Sequence, residues 1–142
     1  MIYLDTSFIA PYYIQEVTSS RVMEALSQVS SGLLAMSDWT KTEFASLLAR
    51  KVRMGELSLS LSKDIWQAFD QDQKSSIQLF EPKRQDFSDA SELLLKYPKS
   101  GLRAADALHL AMVQQHECDL YSLDVMMLKV AKSLGLTAMG IE

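Results

Sequence analysis

Short apolar runs alternate with amphipathic stretches along the whole chain. The runs predict β-strands, and the stretches between them repeat their hydrophobic positions at the spacing of an α-helix. The predicted strands are Ile2–Leu4, Leu33–Met36, Ile77–Phe80, Asp119–Ser122 and Thr137–Met139. The predicted helices are Thr18–Ser30, a long helix from a cap at Ser37 or Asp38 to about Arg53, Ser60–Lys74, Asp86–Tyr97, Leu102–His116 and Asp124–Leu134, with only a broken helical turn after the first strand.

Alternation of strands and helices predicts right-handed βαβ units and therefore an α/β fold with a mostly parallel sheet covered on both faces. In such sheets, ligands bind beyond the carboxyl ends of the strands. The 142 residues are enough for one domain and too few for two ordinary ones. We therefore expect a single domain over residues 1–142 and a site at the carboxyl edge of its sheet.

Composition and charge exclude several classes of protein. The chain is 48% hydrophobic and 23% charged, which is ordinary globular usage, and its net charge of −4 excludes a nucleic-acid binder that works by global positive charge. One cysteine, Cys118, rules out an intrachain disulfide and a Cys-rich zinc site. Since the N-terminal residues lack a basic region and no apolar run approaches roughly 18 residues, we expect no signal peptide, no membrane association and a cytoplasmic location.

Two aspartates follow predicted strands. Asp5 comes directly after the first strand, and Asp124 comes two residues after the fourth, so both belong at the carboxyl edge of the sheet. Asp is also a favoured helix N-cap, and both residues precede helical or turn segments. Either role, cap or functional carboxylate, is consistent with each position taken alone.

Two further acids border apolar helix faces. Asp106 lies in a helix that is hydrophobic on nearly every side, in a row with Leu102 and Leu110. A buried carboxylate needs a partner, which is either a side chain such as Arg103 or a bound cation. Glu43 lies in a similar position on the long helix, where a surface salt bridge is the alternative role.

The four acids together indicate a metal centre. Four neighbouring carboxylates do not remain ionised without compensating positive charge. Hard divalent cations prefer an all-oxygen environment, and Mg²⁺ keeps water ligands that a substrate phosphate displaces. Convergence of Asp5, Glu43, Asp106 and Asp124 at one edge of the sheet would therefore create a site for Mg²⁺ or Mn²⁺.

Four segments in this order resemble the PIN-domain family, and most closely its VapC-type members, the toxins of bacterial toxin–antitoxin pairs. They are Tyr3–Ser7, Thr42–Phe44, Ala104–Ala111 and Ser122–Asp124. Each motif alone is unspecific, but four in order within one short chain are quite specific. The resemblance extends over essentially the whole chain and includes Lys132–Leu136 before the last strand.

The resemblance implies a three-layer αβα sandwich and metal-dependent cleavage of RNA. The acidic residues of the family correspond to Asp5, Glu43, Asp106 and Asp124. Family hydroxyls beside the first acid and two residues before the last correspond to Thr6 or Ser7, and to Ser122. The resemblance also implies a homodimer, silenced by a cognate antitoxin that occupies the site.

Several alternatives stay open. One alternative is a PIN-fold RNA-processing nuclease outside a toxin–antitoxin pair. Another is a non-catalytic interaction module that uses the same acids as caps and salt bridges. His109, three residues after Asp106, is either a packed core histidine or a neighbour of the site. Two basic groups are either phosphate contacts or helix-end charges: Arg50, Lys51 and Arg53, and Lys96, Lys99 and Arg103.

Overall fold

A five-stranded parallel sheet forms the centre of the computed structural model, which describes residues 1–30 and 32–141. Seven helices are present in these residues. The elements are, in order, β1 (Ile2–Leu4), α1 (Thr6–Tyr13), α2 (Ser19–Ser27), β2 (Leu34–Ser37), α3 (Asp38–Arg53), α4 (Leu59–Ser76), β3 (Gln78–Phe80), α5 (Arg84–Lys96), α6 (Ala104–Gln115), β4 (Asp119–Tyr121), α7 (Val125–Ser133) and β5 (Ala138–Met139).

The strand order β3-β2-β1-β4-β5 makes β1 the central strand and the point at which the winding of the chain reverses. Tyr3 of β1 pairs with Ala35 of β2 on one side and with Leu120 of β4 on the other. From β1 the chain moves outward through β2 to β3, and it then returns to β4 on the other side of β1. A crevice opens between the loops that follow β1 and β4. Ligand sites of parallel α/β sheets lie at such a switch point.

Helices cover both faces of the sheet, so the expected three-layer α/β architecture is confirmed. One buried cluster joins the sheet to α5, α6 and α7 through side chains such as Leu93, Leu110 and Met127. The other joins it to α1, α3 and α4 through Phe8, Phe44 and Phe69 on the opposite face. We call these helix sets the α5–α7 layer and the α1–α4 layer. None of the helices in residues 1–30 and 32–141 is long and apolar enough to cross a membrane.

The segment after β1 was predicted wrongly as a broken turn and is the eight-residue helix α1. Pro11 lies inside this helix and cannot donate a backbone hydrogen bond, which normally disfavours a helix interior. Two features outweigh that cost: the Asp5 side chain caps the N-terminus, and Phe8, Ile9, Ala10 and Pro11 are buried.

Most other boundaries differ from the predictions by one to three residues, and one difference changes the site. The helix predicted from Leu102 begins at Ala104, with Arg103 as its N-cap. Asp106 is therefore in the first turn of α6 and not in the interior of a buried helix. The reason is electrostatic, since a carboxylate in the first turn accepts from free backbone N–H groups and interacts favourably with the helix dipole.

Candidate active site

Asp5 is the most deeply enclosed acid of the site, with 2% of its surface exposed. It follows β1 directly and is the N-cap of α1, where Oδ1 accepts a 3.0 Å hydrogen bond from the Phe8 backbone N–H. The Ser7 hydroxyl donates to Oδ1 at 2.8 Å, and the Ser122 hydroxyl donates to Oδ2 at 2.7 Å. The N-cap role that the sequence allowed for Asp5 is therefore confirmed.

Asp124 occupies the matching position beyond β4. Its Oδ1 accepts from the backbone N–H groups of Met126 and Met127, so it is the N-cap of α7. Its own N–H donates to the Ser122 hydroxyl at 3.0 Å. Ser122 therefore links Asp124 to Asp5 across the switch point, and Oδ2 of Asp124 has no hydrogen-bond partner among the described residues.

Negative charge at this edge is only partly compensated. Burial raises the pKa of Asp5, although the hydroxyls of Ser122 and Ser7 and the Phe8 N–H act in the opposite direction. Burial also raises the pKa of Asp106, and the charges of Asp124 and Glu43 raise it further. The mutual repulsion of Asp106 with Asp124 and Glu43 places these three carboxylates in one electrostatic neighbourhood.

Asp106 reaches this neighbourhood from the first turn of α6. It is half-buried, and its Oδ2 accepts a 3.2 Å hydrogen bond from the backbone N–H of Arg103. The Arg103 guanidinium makes no ion pair with Asp106 in the part of the chain that the structure describes, and the Arg103 side chain is exposed. The alternative of an Arg103–Asp106 ion pair is therefore wrong, and Arg103 contributes a backbone donor.

Glu43 projects toward the site from the middle of α3. Its Oε1 accepts a 2.6 Å hydrogen bond from the Thr6 hydroxyl and a further one from His109 Nε2. Burial raises the pKa of Glu43, but the bonds from His109 and Thr6 outweigh this effect and hold it below its usual value. Thr6 and Ser7 thus serve different acids: Thr6 binds Glu43 and Ser7 binds Asp5.

A buried pair lies behind Glu43, and the sequence singled out only one of its members, His109. His109 is 1% exposed, and its Nδ1 lies 2.7 Å from the hydroxyl of Tyr3, which is fully buried. The Tyr3 hydroxyl also lies 2.8 Å from Ser37 Oγ, and burial raises the pKa of Tyr3 so that the phenol keeps its proton. The one available signal was a histidine within an otherwise apolar helix, one turn from Asp106.

A groove of about 510 Å³ begins at the hydroxyl side of the site. Thr6, Ser7 and Glu43 line one end of it, and Arg50 lies two helical turns farther along α3. Lys51, the neighbour of Arg50 in the predicted basic group, instead pairs with Glu56 at 3.0 Å. Arg50 is therefore the member of that group that the structure places beside the candidate site.

The donor set suits a hard divalent cation. The four acids supply only oxygen ligands, the neighbouring side chains are hydroxyls, and the one nearby histidine is already bound to Glu43. As they stand, no three Asp, Glu, His or Cys side chains within residues 1–30 and 32–141 form a ready metal cage. Hydrogen bonds occupy Oδ1 of Asp124 and Oε1 of Glu43. The other oxygen of each carboxylate accepts no hydrogen bond from the described residues.

Solved structures with the same fold cover nearly the whole chain. VapC20 of Mycobacterium tuberculosis, described as a sarcin-ricin loop cleaving toxin, has a TM-score of 0.76 at 15% identity and covers 96% of this chain and 97% of its own. VapBC-1 from nontypeable Haemophilus influenzae has a TM-score of 0.67 at 19% identity, with 99% and 98% covered. VapBC2 from Rickettsia felis, bound to a DNA fragment from its promoter, has a TM-score of 0.69 at 14% identity, with both chains fully covered.

Compared by sequence, the chain has no significant match among curated proteins. The family model of the PIN domain matches residues 2–137, which includes all four acids and every strand except β5. With this match over nearly the entire chain, and with the three-layer fold described above, the chain belongs to the PIN domain family.

Proposed function

We propose that this protein is a metal-dependent endoribonuclease that hydrolyses RNA phosphodiester bonds and acts in the cytoplasm as the toxin of a toxin–antitoxin pair. The observation that carries the proposal is the link from Asp5 through Ser122 to Asp124 at the switch point of the sheet, together with the electrostatic repulsion of Asp106 by Asp124 and Glu43. Membership of the PIN domain family and the likeness to VapC20, a sarcin-ricin loop cleaving toxin, support it.

Asp5, Asp106 and Asp124 would hold Mg²⁺ or Mn²⁺, and Glu43 would complete the set directly or through water. When bound, such an ion lowers the pKa of a water ligand and neutralises charge on the phosphate oxygens. Burial raises the pKa of Asp5, and burial together with the charges of Asp124 and Glu43 raises that of Asp106. Both shifts fit this assignment, because a bound cation favours the ionised form of each carboxyl.

The chain's own residues orient the acids and the substrate. Ser7 and Ser122 fix both oxygens of Asp5, and Thr6 fixes one oxygen of Glu43. Arg50, at the far end of the groove, would hold a phosphate of the RNA strand outside the scissile bond. Because this contact is to the backbone, it would add affinity without reading sequence.

Cleavage of total cellular RNA tests the activity. The protein is incubated with RNA in Mg²⁺ or Mn²⁺ and, separately, in EDTA, with Asp5→Asn purified identically to exclude a contaminating nuclease. Discrete fragments that require both metal and Asp5 are the expected result. Equal cleavage by the Asp5→Asn protein, or cleavage that survives EDTA, would overturn the proposal.

The toxin role has its own test. We propose a homodimer and a cognate antitoxin as partners, by analogy with the solved toxin–antitoxin complexes of the same fold. Induced expression of the wild-type chain without a partner should arrest bacterial growth, whereas Asp5→Asn should not. Equal growth of cells that express the wild type and cells that express Asp5→Asn would overturn the toxin role and leave the proposed nuclease activity in place.

A further inference from the structure

A single side-chain hydrogen bond joins helices of the two layers in the described part of the chain, and it ends on a site acid. His109 on α6 belongs to the α5–α7 layer, and Glu43 on α3 belongs to the α1–α4 layer. His109 Nε2 binds Glu43 Oε1 across the top of the sheet. A buried imidazole N–H needs an acceptor, and the acceptor here is one of the four candidate site acids.

The direction of each hydrogen bond follows from the groups that hold the protons. Glu43, as a carboxylate, only accepts, so Nε2 of His109 is the donor. In the neutral imidazole the other nitrogen, Nδ1, is then an acceptor, and the Tyr3 hydroxyl 2.7 Å away donates to it. The Tyr3 oxygen in turn accepts from Ser37 at 2.8 Å. The chain of donors from Ser37 through Tyr3 and His109 therefore points toward Glu43.

Both donors on Glu43 bind the same oxygen. Thr6 and His109 approach Oε1, while Oε2 accepts no hydrogen bond from the described residues. Donors from two directions hold Oε1 in place and leave Oε2 without a hydrogen bond. Thr6 alone would leave rotation about that single bond.

We propose that His109 is a positioning residue that holds the Glu43 carboxylate for the metal, and that Tyr3 sets the tautomer His109 needs for this task. The inference rests on the proposed metal-dependent function. Hydrogen-bonding partners of ligating side chains orient them, and loss of such a partner weakens metal binding about 10- to 100-fold.

Mn²⁺ titration of the purified protein, followed by calorimetry, measures this effect without any cleavage. We expect His109→Leu to bind Mn²⁺ at least about 10-fold more weakly than wild type, and His109→Gln, whose amide N–H donates from a similar position, to recover part of the loss. His116→Leu is the matched control, because His116 is exposed and stacks on Phe80 away from the acids. Thermal unfolding of each metal-free variant verifies that it is folded.

A double-mutant cycle separates positioning from general damage to the core. If His109 acts through Glu43, then adding His109→Leu to Glu43→Gln should weaken Mn²⁺ binding little beyond Glu43→Gln alone. Independent, additive losses would overturn the proposal. So would wild-type affinity in a folded His109→Leu protein.

The role of Tyr3 is tested in the metal-free protein. The ¹⁵N NMR signals of the His109 ring should show a protonated Nε2 and an unprotonated Nδ1, and Tyr3→Phe should shift the Nδ1 signal and weaken Mn²⁺ binding in the same direction as His109→Leu. Tyr13→Phe, which loses a hydroxyl bound to Asp72 outside the site, should change neither. A protonated Nδ1 in wild type would overturn the tautomer assignment. Absence of Mn²⁺ binding by the wild type would instead overturn the proposed function and this inference with it.

Discussion

The Ser122 hydroxyl donates a 2.7 Å hydrogen bond to Oδ2 of Asp5, although 117 positions separate the two residues in sequence. The contact exists because β1 and β4 are neighbours in the sheet and their carboxyl ends meet at the switch point. The same hydroxyl accepts from the Asp124 backbone N–H. One serine thereby ties together the two acids that follow these strands.

Replacement of this serine should damage both the fold and the site. Ser122→Ala removes a hydrogen-bond donor to a buried oxygen of Asp5 and the acceptor of the Asp124 N–H. The free energy of unfolding should therefore fall by about 1–3 kcal/mol. Urea denaturation measures the change. Ser133→Ala removes an exposed hydroxyl that donates to a helix carbonyl and should stay within about 0.5 kcal/mol of wild type. Equal stability of the two variants would contradict the role assigned to Ser122.

Asp106→Asn should separate activity from stability. The asparagine oxygen can still accept from the Arg103 N–H, but the charge is gone, so RNA cleavage should fall on the order of 10²-fold or more, as expected for loss of several kcal/mol of charge stabilisation. Asp89→Asn, a change in the middle of α5 at a half-buried carboxylate that accepts from Gln85 outside the site, should leave cleavage unchanged. Cleavage assays on both proteins in Mn²⁺ decide the matter, and retained activity in Asp106→Asn would contradict its assignment as a metal ligand.

The pH dependence of stability has a definite sign in the metal-free protein. The folded-state pKa of Asp106 lies above its ordinary value of 3.8, so between these two values the folded state binds more protons than the unfolded state. Stability is therefore lost as pH rises through this interval, and the full cost remains above it. Asp106→Asn lacks this cost, so its melting temperature in EDTA should exceed that of wild type by a margin that widens as pH rises from 3.8.

Two further expectations accompany the pH dependence of Asp106. Glu43 has the opposite sign, since its lowered pKa adds stability that is lost as pH falls below its ordinary value of 4.5. Added Mn²⁺ should raise the melting temperature of wild type more than that of Asp106→Asn, because binding to the folded state stabilises it. A margin that is independent of pH would show that Asp106 carries no uncompensated charge.

Arg50 should contribute RNA affinity without sequence preference. Arg50→Ala should weaken RNA binding for all sequences alike and lower the dependence of log affinity on log salt by about one unit or slightly less. Arg53→Ala is the control, because Arg53 is an exposed arginine on the same helix that does not line the groove. Both substitutions are made in the catalytically inactive Asp5→Asn protein, and RNA binding is measured at several salt concentrations. An equal effect of the two substitutions would remove Arg50 from the site.

The sequence predicted the frame of the fold and the position of its acids for a clear physical reason. Asp5 and Asp124 follow short apolar strands, and parallel strands place their carboxyl ends at one edge. The helix α1 escaped prediction because Pro11 is a strong local signal against helix, whereas the burial of Phe8 and Ile9 that outweighs it is a tertiary effect. Local signals therefore located the strand ends better than the element between them.

Long-range side-chain pairing lay beyond the sequence. Glu43 and His109 are 66 positions apart on helices of different layers, and nothing in either segment indicates the other. Tyr3 resembles any aromatic residue in a buried strand until its hydroxyl is seen beside His109. An Arg103–Asp106 ion pair was one of two alternatives, but a helix start two residues later than predicted gave the contact to the Arg103 backbone instead.

Asp5, Asp106 and Asp124, with Glu43 beside them, should hold a divalent ion at the switch point of the sheet. Anomalous diffraction from crystals of the protein soaked in Mn²⁺ tests this directly, with crystals of Asp106→Asn treated identically. We predict Mn²⁺ density bounded by these carboxylates in the wild type, and density that is weakened or lost in the variant. Mn²⁺ bound elsewhere, or an empty acidic site in crystals that are saturated with Mn²⁺, would contradict the account.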